Sequence, residues 1–364
     1  MSSLGPYRAK RGAARTPEPV PAEEFEWGQQ VDHTGDEQDG RGDRFVVQEH
    51  HATALHWDVR LERDGVLVSW AVPKGFPLAT TTNHLAKQTE DHPLDYAWFE
   101  GDIPHGEYGG GAVTIWDHGR YLLEKWRPDK VQFVLSGQRV QGRYIFFRTR
   151  GRDWMLHRMD PSPPDWAPLP TDLTPMRATA GRRLPRDPAP WSFEVDWAGA
   201  PVLVAVYGGR LTVTDGSGAV VTSSYPELRG LGLQLGSRQV LLHGDVVVLD
   251  ADGRPEPDLL RHRGDAAKPG ARLLREAPVQ LMIGDLLHTD GASLLGSDAD
   301  ARRGALESLA LGGAHWQVPP AASGDGRTLV GAARERGLPG VLAKRRDAPY
   351  RPGQRSDTWR AIAG

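Results

Sequence analysis

The stretch LHWDVRLE, residues 55–62, alternates apolar and polar side chains. A period of two is that of a strand with one face on a core. Leu55, Trp57, Val59 and Leu61 share the apolar face, and His56, Asp58, Arg60 and Glu62 share the other. The preceding RFVVQEH reads as a strand too, and an antiparallel return would set His50 beside His56. Further on, AVTIWDHGRYLLEKW and RVQGRYIFFRTRGRDWMLHRM mix β-branched and aromatic residues between glycine turns, which predicts more strands. In the C-terminal half, SFEVDWAGAPVLVAVYGGRLTVTDGSGAVVTSS predicts a β-meander with Gly-Gly and Asp-Gly turns. RQVLLHGDVVVLDADGRP predicts a buried strand pair closed by Asp-Gly, and SDADARRGALESLAL is the clearest of few helical stretches. The expected class is mainly β with some α.

A chain of 364 residues can hold two domains with their own cores. Residues 1–42 are polar and rich in glycine and proline, and are expected to be largely flexible. The first compact region is expected over 43–160 and the second over 191–364. Between them, residues 160–190 carry nine of the chain's 29 prolines. Proline fixes φ and donates no hydrogen bond, so residues 161–190 read as a linker or an extended wrapping segment.

The net charge of −3 offers nucleic acid no general attraction, so any basic surface must be local. The chain has no cysteine, which excludes disulfides, thiolate metal sites and cysteine nucleophiles, and suits a reducing cytosol. No apolar run reaches the roughly 18 residues of a membrane helix. The basic N-terminus lacks the apolar core of a signal peptide. The expected location is cytoplasmic, without membrane contact.

The polar face of 55–62 holds the candidate chemistry. His56 and Asp58 are near enough to share a cation, and His50 would join them across the return. Two imidazoles and one carboxylate suit manganese, iron or zinc. Arg60, one step on, would meet a phosphate oxygen with its guanidinium fork. The alternative is a half-exposed sheet face without chemistry. His51 reads as a loop bystander. In EDHPLDYAWFEGDIPHGEYGGG, His92 and Tyr96 could add a donor or an acid, and GEYGGG reads as a tight turn, because a phosphate cradle needs a helix behind it. Arg139, Arg143, Arg148, Arg150, Arg152 and Arg158 would track a phosphate backbone if they share a face.

QEHHATALHWDVRLERDGVLVSWAVPKG and EDHPLDYAWFEGDIPHGEYGGGAVTIWDHG resemble the 3′-phosphoesterase module of bacterial DNA ligase D, a multifunctional enzyme of non-homologous end joining. The resemblance runs from about residue 7 to 160. It implies a compact β-barrel with a manganese-dependent site on its concave side, which removes a 3′-terminal ribonucleoside and then the remaining 3′-phosphate. It places the metal ligands on His50, His56 and Asp58, the phosphate-handling arginine on Arg60, and the catalytic histidine and tyrosine on His92 and Tyr96. Gln48 and Lys74 match further site positions. YRAKRGAARTPEP resembles the family's opening motif and places Arg11 and Glu18 near the site. Gly12 replaces an aspartate and His84 an arginine of the family pattern.

From about residue 172 to 364 the chain is similar to the adenylation domain of ATP-dependent DNA ligases, an α+β nucleotidyltransferase-like fold. SSYPEL, LLHGDVVVLDADGRP, LMIGDLLHTDGASL and PGVLAKRRDAPYRPGQRSDTWRAI follow the family's order. Where the family has its nucleophilic lysine, this chain has Asp196. Pro201, Asp245, Pro339, Ala361 and Ala363 replace other functional positions, and Lys344 remains. A carboxylate cannot form the lysyl adenylate. The expectation is a pseudo-ligase that performs no ATP chemistry and lacks the OB-fold. Together the resemblances imply an enzyme acting on DNA 3′ ends, with end-joining proteins such as Ku or a polymerase or ligase as partners. The alternative is a non-catalytic scaffold at DNA ends, favoured by Gly12 and His84.

Overall fold

The computed structural model describes residues 4–11, 16–20, 43–324 and 326–364. The chain divides into two compact units, Met1–Pro163 and Pro164–Gly364.

The N-terminal unit is built on antiparallel strands β1 (Arg44–His51), β2 (Leu55–Arg63), β3 (Val66–Val72), β4 (Asn83–Gln88), β5 (Gly101–Ile103), β6 (Gly111–Arg127), β7 (Lys130–Gly137), β8 (Gln141–Arg150) and β9 (Asp153–Arg158). They run in the order β1-β2-β3-β4-β9-β8-β7-β6-β5, and a further β1–β6 pairing closes all but β5 into a barrel. Its interior is filled by Phe45, Val47, Trp57, Val59, Leu61, Trp70, Phe133, Phe146, Trp154 and their neighbours. Side-chain alternation then turns Gln48, His50, His56, Asp58, Arg60 and Ser69 to the outer face of the same wall. The candidate residues therefore sit on the outer face of β1–β3, because large aromatic side chains occupy the barrel interior.

That outer face is covered. The helix α1 (Gly5–Lys10) and a 3₁₀ turn over Leu94–Trp98 pack a second apolar cluster on it, with Leu4, Tyr7, Leu67, Tyr96, Phe99, Ile103 and Val113. Asp58, Arg60 and Glu62 are thus buried, as are the apolar residues between them. Of the arm expected to be largely flexible, the described part includes this helix; Gly12 lies outside the described residues. The arginine series does not form one stripe. Arg143 and Arg148 stand five residues apart on a regular stretch of β8 and so face opposite ways. Arg143 pairs with Glu124, and Arg148 lies over Trp154.

In the C-terminal unit, one sheet orders the strands Arg177–Gly181, Arg355–Ala363, Gly340–Arg345, Trp191–Asp196 and Ala322–Ser323. The other orders Arg210–Asp215, Ala200–Tyr207, Val240–Val248, Val279–Thr289, Trp316–Gln317 and Gly312–Gly313. The expected meander is split: Trp191–Asp196 belongs to the first sheet, and only Ala200–Tyr207 and Arg210–Asp215 form a hairpin. Of the strand pair expected in RQVLLHGDVVVLDADGRP, one member is the strand Val240–Val248, between Ala200–Tyr207 and Val279–Thr289, and the return after the Asp-Gly turn is reduced to a single antiparallel bridge, Leu249 to Pro255. Both faces of Ala200–Tyr207 are buried, Val202, Val204 and Val206 in one cluster and Leu203 in another, which is why its sequence is almost continuously apolar. Ala299–Glu307 is the expected helix, capped by Asp298, whose side chain accepts from the Ala301 N–H. Four more helices, Arg229–Leu235, Pro257–Gly264, Ala271–Glu276 and Arg327–Glu335, had weak sequence signals. Residues 164–190, expected as linker, lie in this unit: Met176 is buried, and Arg177–Gly181 pairs in parallel with Arg355–Ala363. Proline restricts a chain to extended backbone, but extended backbone still packs and pairs.

Candidate metal and phosphate site

Register alone brings the histidines together. β1 and β2 are antiparallel with His50 opposite His56 and Gln48 opposite Asp58. One ligand atom from each of His50, His56 and Asp58 lies within 4.8 Å of the others. His50 Nε2 donates to the Gly109 carbonyl at 2.8 Å, and His56 Nδ1 donates to the Ala54 carbonyl at 2.9 Å. A carbonyl only accepts, so these nitrogens carry protons and the opposite ones point inward. His50 Nδ1 stands 3.5 Å from Asp58 Oδ2, and His56 Nε2 stands 3.6 Å from Asp58 Oδ1. An imidazole anchored to a carbonyl through one nitrogen and presenting the other is the arrangement of a metal-ligating histidine. Burial pushes the Asp58 carboxyl up, but the Arg60 charge and the two imidazoles outweigh it and hold the pKa well below the usual range. The donor set fits a divalent cation of the manganese, iron or zinc type.

Arg60 is the second layer. Its Nε donates to Gln48 Oε1 at 2.7 Å, one terminal nitrogen to Ser69 Oγ at 2.9 Å and the other to Asp58 Oδ2 at 2.9 Å. Gln48 is held in turn by donating to the Tyr96 and Phe99 carbonyls. Three of the five guanidinium N–H groups are thus spent on orientation. His92 Nδ1 donates to the Glu90 carbonyl at 2.9 Å, and its Nε2 faces an Arg11 nitrogen at 3.5 Å. Burial, then the charges of Arg60 and Arg11, push the His92 pKa well below its usual value, so the ring is neutral at pH 7. Tyr96 donates to Glu18 Oε1 at 3.0 Å, and burial raises its pKa.

The arm completes the site. Arg11 donates to Glu18 at 2.8 Å and to Glu90 at 2.9 Å, and its guanidinium lies 4.0 Å from the Tyr7 ring centroid. Lys10 also pairs with Glu90, at 2.9 Å. His51, expected in a loop, ends β1 and pairs with Glu49. Lys74 is exposed on the turn after β3. Its charge helps burial push His84 down, and His84 Nδ1 donates to the Gly75 carbonyl at 2.7 Å.

In the C-terminal unit, Asp196 stands where the chain leaves one sheet for the other. Its Oδ1 accepts from the Ala198 N–H at 2.9 Å, and Ala198 takes a φ of 44°. A Cβ on Gly199 would lie 2.6 Å from the Val246 carbonyl oxygen, so the crossing needs glycine there. Lys344 Nζ donates to Glu194 Oε2 and to the Gly284 carbonyl, both at 2.8 Å. Burial and the neighbouring Asp196 push the Asp245 carboxyl up to about 6. Burial, then Lys344 and Arg302, push His243 down to about 3; its ring stacks on Trp359 at 5.3 Å.

Residues 48–148 match the family described as DNA Ligase D 3′-phosphoesterase domain, and residues 178–362 match the ATP dependent DNA ligase domain. The chain belongs to both families. It is 43% identical over 357 residues to the "Multifunctional non-homologous end joining protein LigD" of Mycobacterium bovis, covering 97% of this chain and 44% of that protein. It is 40% identical over 367 residues to the protein of that name from Mycolicibacterium smegmatis, covering 98% and 45%. The chain thus spans less than half the length of these curated relatives. The solved ligase domain of Mycobacterium tuberculosis LigD is 36% identical, covers 52% of this chain and 59% of that chain, and superposes with a TM-score of 0.46.

Sequence reading missed several residues of the phosphoesterase domain's site. Glu90 gathers Lys10 and Arg11; it precedes His92 by two in an extended segment, a spacing that shares a face. Ser69 is the polar residue inside the apolar VLVSWAV, and it stands directly opposite Arg60. The Gly109 and Ala54 carbonyls carry no sequence signal, since every residue has one.

Proposed function

We propose that the phosphoesterase domain is a manganese-dependent enzyme that heals DNA 3′ ends by removing a terminal ribonucleoside and then the remaining 3′-phosphate. The observation that carries this is the convergence of His50 Nδ1, His56 Nε2 and the Asp58 carboxylate directly beside the Arg60 guanidinium. When bound there, the cation supplies Lewis-acid stabilisation of phosphate charge. Arg60, already oriented by Gln48 and Ser69, meets the developing negative charge without reorganising. Neutral His92 keeps its proton on Nδ1 and offers the Nε2 edge to the phosphate region, where Arg11 also points. Tyr96 and Glu18 hold the arm over the site.

The setting we infer is bacterial non-homologous end joining in the cytoplasm, at DNA 3′ ends and with end-joining proteins as partners; relatives carrying that process in their names support it. Among the described residues, no helix is long and apolar enough to cross a membrane. For the ligase domain the proposal is a fold without nucleotidyl transfer. The carboxylate of Asp196 in the nucleophile position and the engagement of Lys344 by Glu194 support this.

The test is a 5′-labelled primer–template ending in a ribonucleotide or a 3′-phosphate, incubated with protein and manganese. The wild type should shorten the first and dephosphorylate the second. His56→Ala should abolish both reactions and weaken manganese binding in calorimetry, with an unchanged circular dichroism spectrum. Wild-type trimming by His56→Ala would remove the metal site from the mechanism.

A further inference from the structure

The aromatic residues around the metal triad differ in exposure. Tyr7 and Tyr96 are buried at 0% and 2%, whereas Tyr108 is 49% exposed. Tyr108 sits in the 104–110 turn, one residue before Gly109, whose carbonyl anchors His50. The turn is stiff. A Cβ on Gly110 would lie 2.8 Å from the Pro104 carbonyl oxygen, and one on Gly111 would lie 2.3 Å from that of His51, so this backbone is pressed against itself and against β1. The ring is held as well: Lys10 Nζ lies 4.1 Å from its centroid and donates to its hydroxyl at 3.0 Å, and the Arg11 guanidinium lies 5.5 Å away. Glu90 fixes Lys10 and Arg11 in turn. The half-exposed ring is tied to the site on two sides: the next residue's carbonyl anchors His50, and Arg11, 5.5 Å from the ring, also faces His92.

We propose that Tyr108 is the stacking platform for the base of the 3′-terminal nucleotide, a specificity-determining residue that seats the end of the strand next to the metal. This rests on the phosphoesterase reading above. Every base has a π-face, so an exposed ring beside cations receives a terminal nucleotide whatever its sequence. Lys10 and Arg11, held over the ring, bring their charges to the adjacent backbone phosphate. The platform makes a base-bearing ribonucleotide end a better substrate than an abasic ribose end, while the chemistry at the phosphate stays the same.

The experiment compares KM for a primer with a 3′-terminal ribonucleotide and for one whose terminal ribose lacks its base. The wild type should favour the base-bearing end by roughly tenfold in KM with little change in kcat. Tyr108→Phe keeps the ring and removes only the bond to Lys10, and should preserve the preference. Tyr108→Leu keeps an apolar side chain and removes the ring, and should erase the preference by weakening the base-bearing end alone. Equal discrimination by wild type and Tyr108→Leu overturns the platform. If the wild type trims neither primer, the phosphoesterase reading fails instead. A primer ending in 2-aminopurine then decides the platform without turnover: quenching by wild type and Tyr108→Phe but not by Tyr108→Leu supports it, and equal quenching by all three overturns it.

Discussion

At the scale of single residues, charge compensation is nearly complete on the phosphoesterase domain's outer wall. Asp58 is accepted as a buried carboxylate because Arg60 donates to it at 2.9 Å. Arg60 in turn is tolerated at 2% exposure because Gln48, Ser69 and Asp58 take three of its N–H groups. The ligase domain contains the opposite case. Asp245 is pushed up to about 6 by burial and by Asp196, which outweigh the opposing charge of Lys344. A folded-state pKa above the unfolded one favours the protonated form in the fold. The contribution of Asp245 to stability is therefore fully present below about pH 4 and lost as the pH rises through about 6. Asp245→Asn should accordingly be more stable than wild type at pH 7.5, with the difference vanishing below pH 4. Chemical denaturation of the two proteins across that range measures it, and a difference independent of pH would contradict the assignment.

At the scale of elements, the arm makes a wall of strands into a site. Tyr7 is fully buried, donates to the Pro19 carbonyl at 2.8 Å and packs edge-on against His92 at 4.9 Å. It is the side chain that pins α1 to the barrel. Truncating a buried aromatic costs about 3–5 kcal/mol in a core, enough to detach a six-residue helix that has no other fully buried residue. Tyr7→Ala should therefore lower end trimming at least tenfold while manganese affinity, set by β1 and β2, stays within a few-fold. Calorimetry with manganese beside the primer assay separates the two, and unimpaired trimming would show that the arm is dispensable. The β1–β2 pairing was legible beforehand, because strict alternation fixes faces and a short connection fixes direction. The partners of Trp191–Asp196 were not: the crossing at 197–199, which ends in Gly199, looks like a hairpin turn in sequence, although it carries the chain between two sheets.

At the scale of the whole molecule, a phosphoesterase domain and a ligase domain share one chain. The proposal that Asp196 takes the nucleophile's position leaves no amine there for adenylation. Incubation with labelled ATP and a divalent metal should leave the protein without a covalent, acid-labile AMP adduct; appearance of that adduct would overturn the proposal of an inactive ligase domain. The units also show why composition was a weak guide. A net charge of −3 hides a site in which Lys10, Arg11 and Arg60 surround one small surface.

Alternation in residues 44–62 determined, without any structure, which side chains share the polar face and that His50 would meet His56, because a strand has a period of two and an antiparallel ladder pairs residue with residue. The motifs around it determined the families. Tertiary structure alone decided that this polar face lies outside the barrel, that the arm buries it, and that Glu90, Ser69 and two main-chain carbonyls orient the ligands. These are contacts between segments distant in sequence, or from groups that every residue carries, and local pattern holds no record of either.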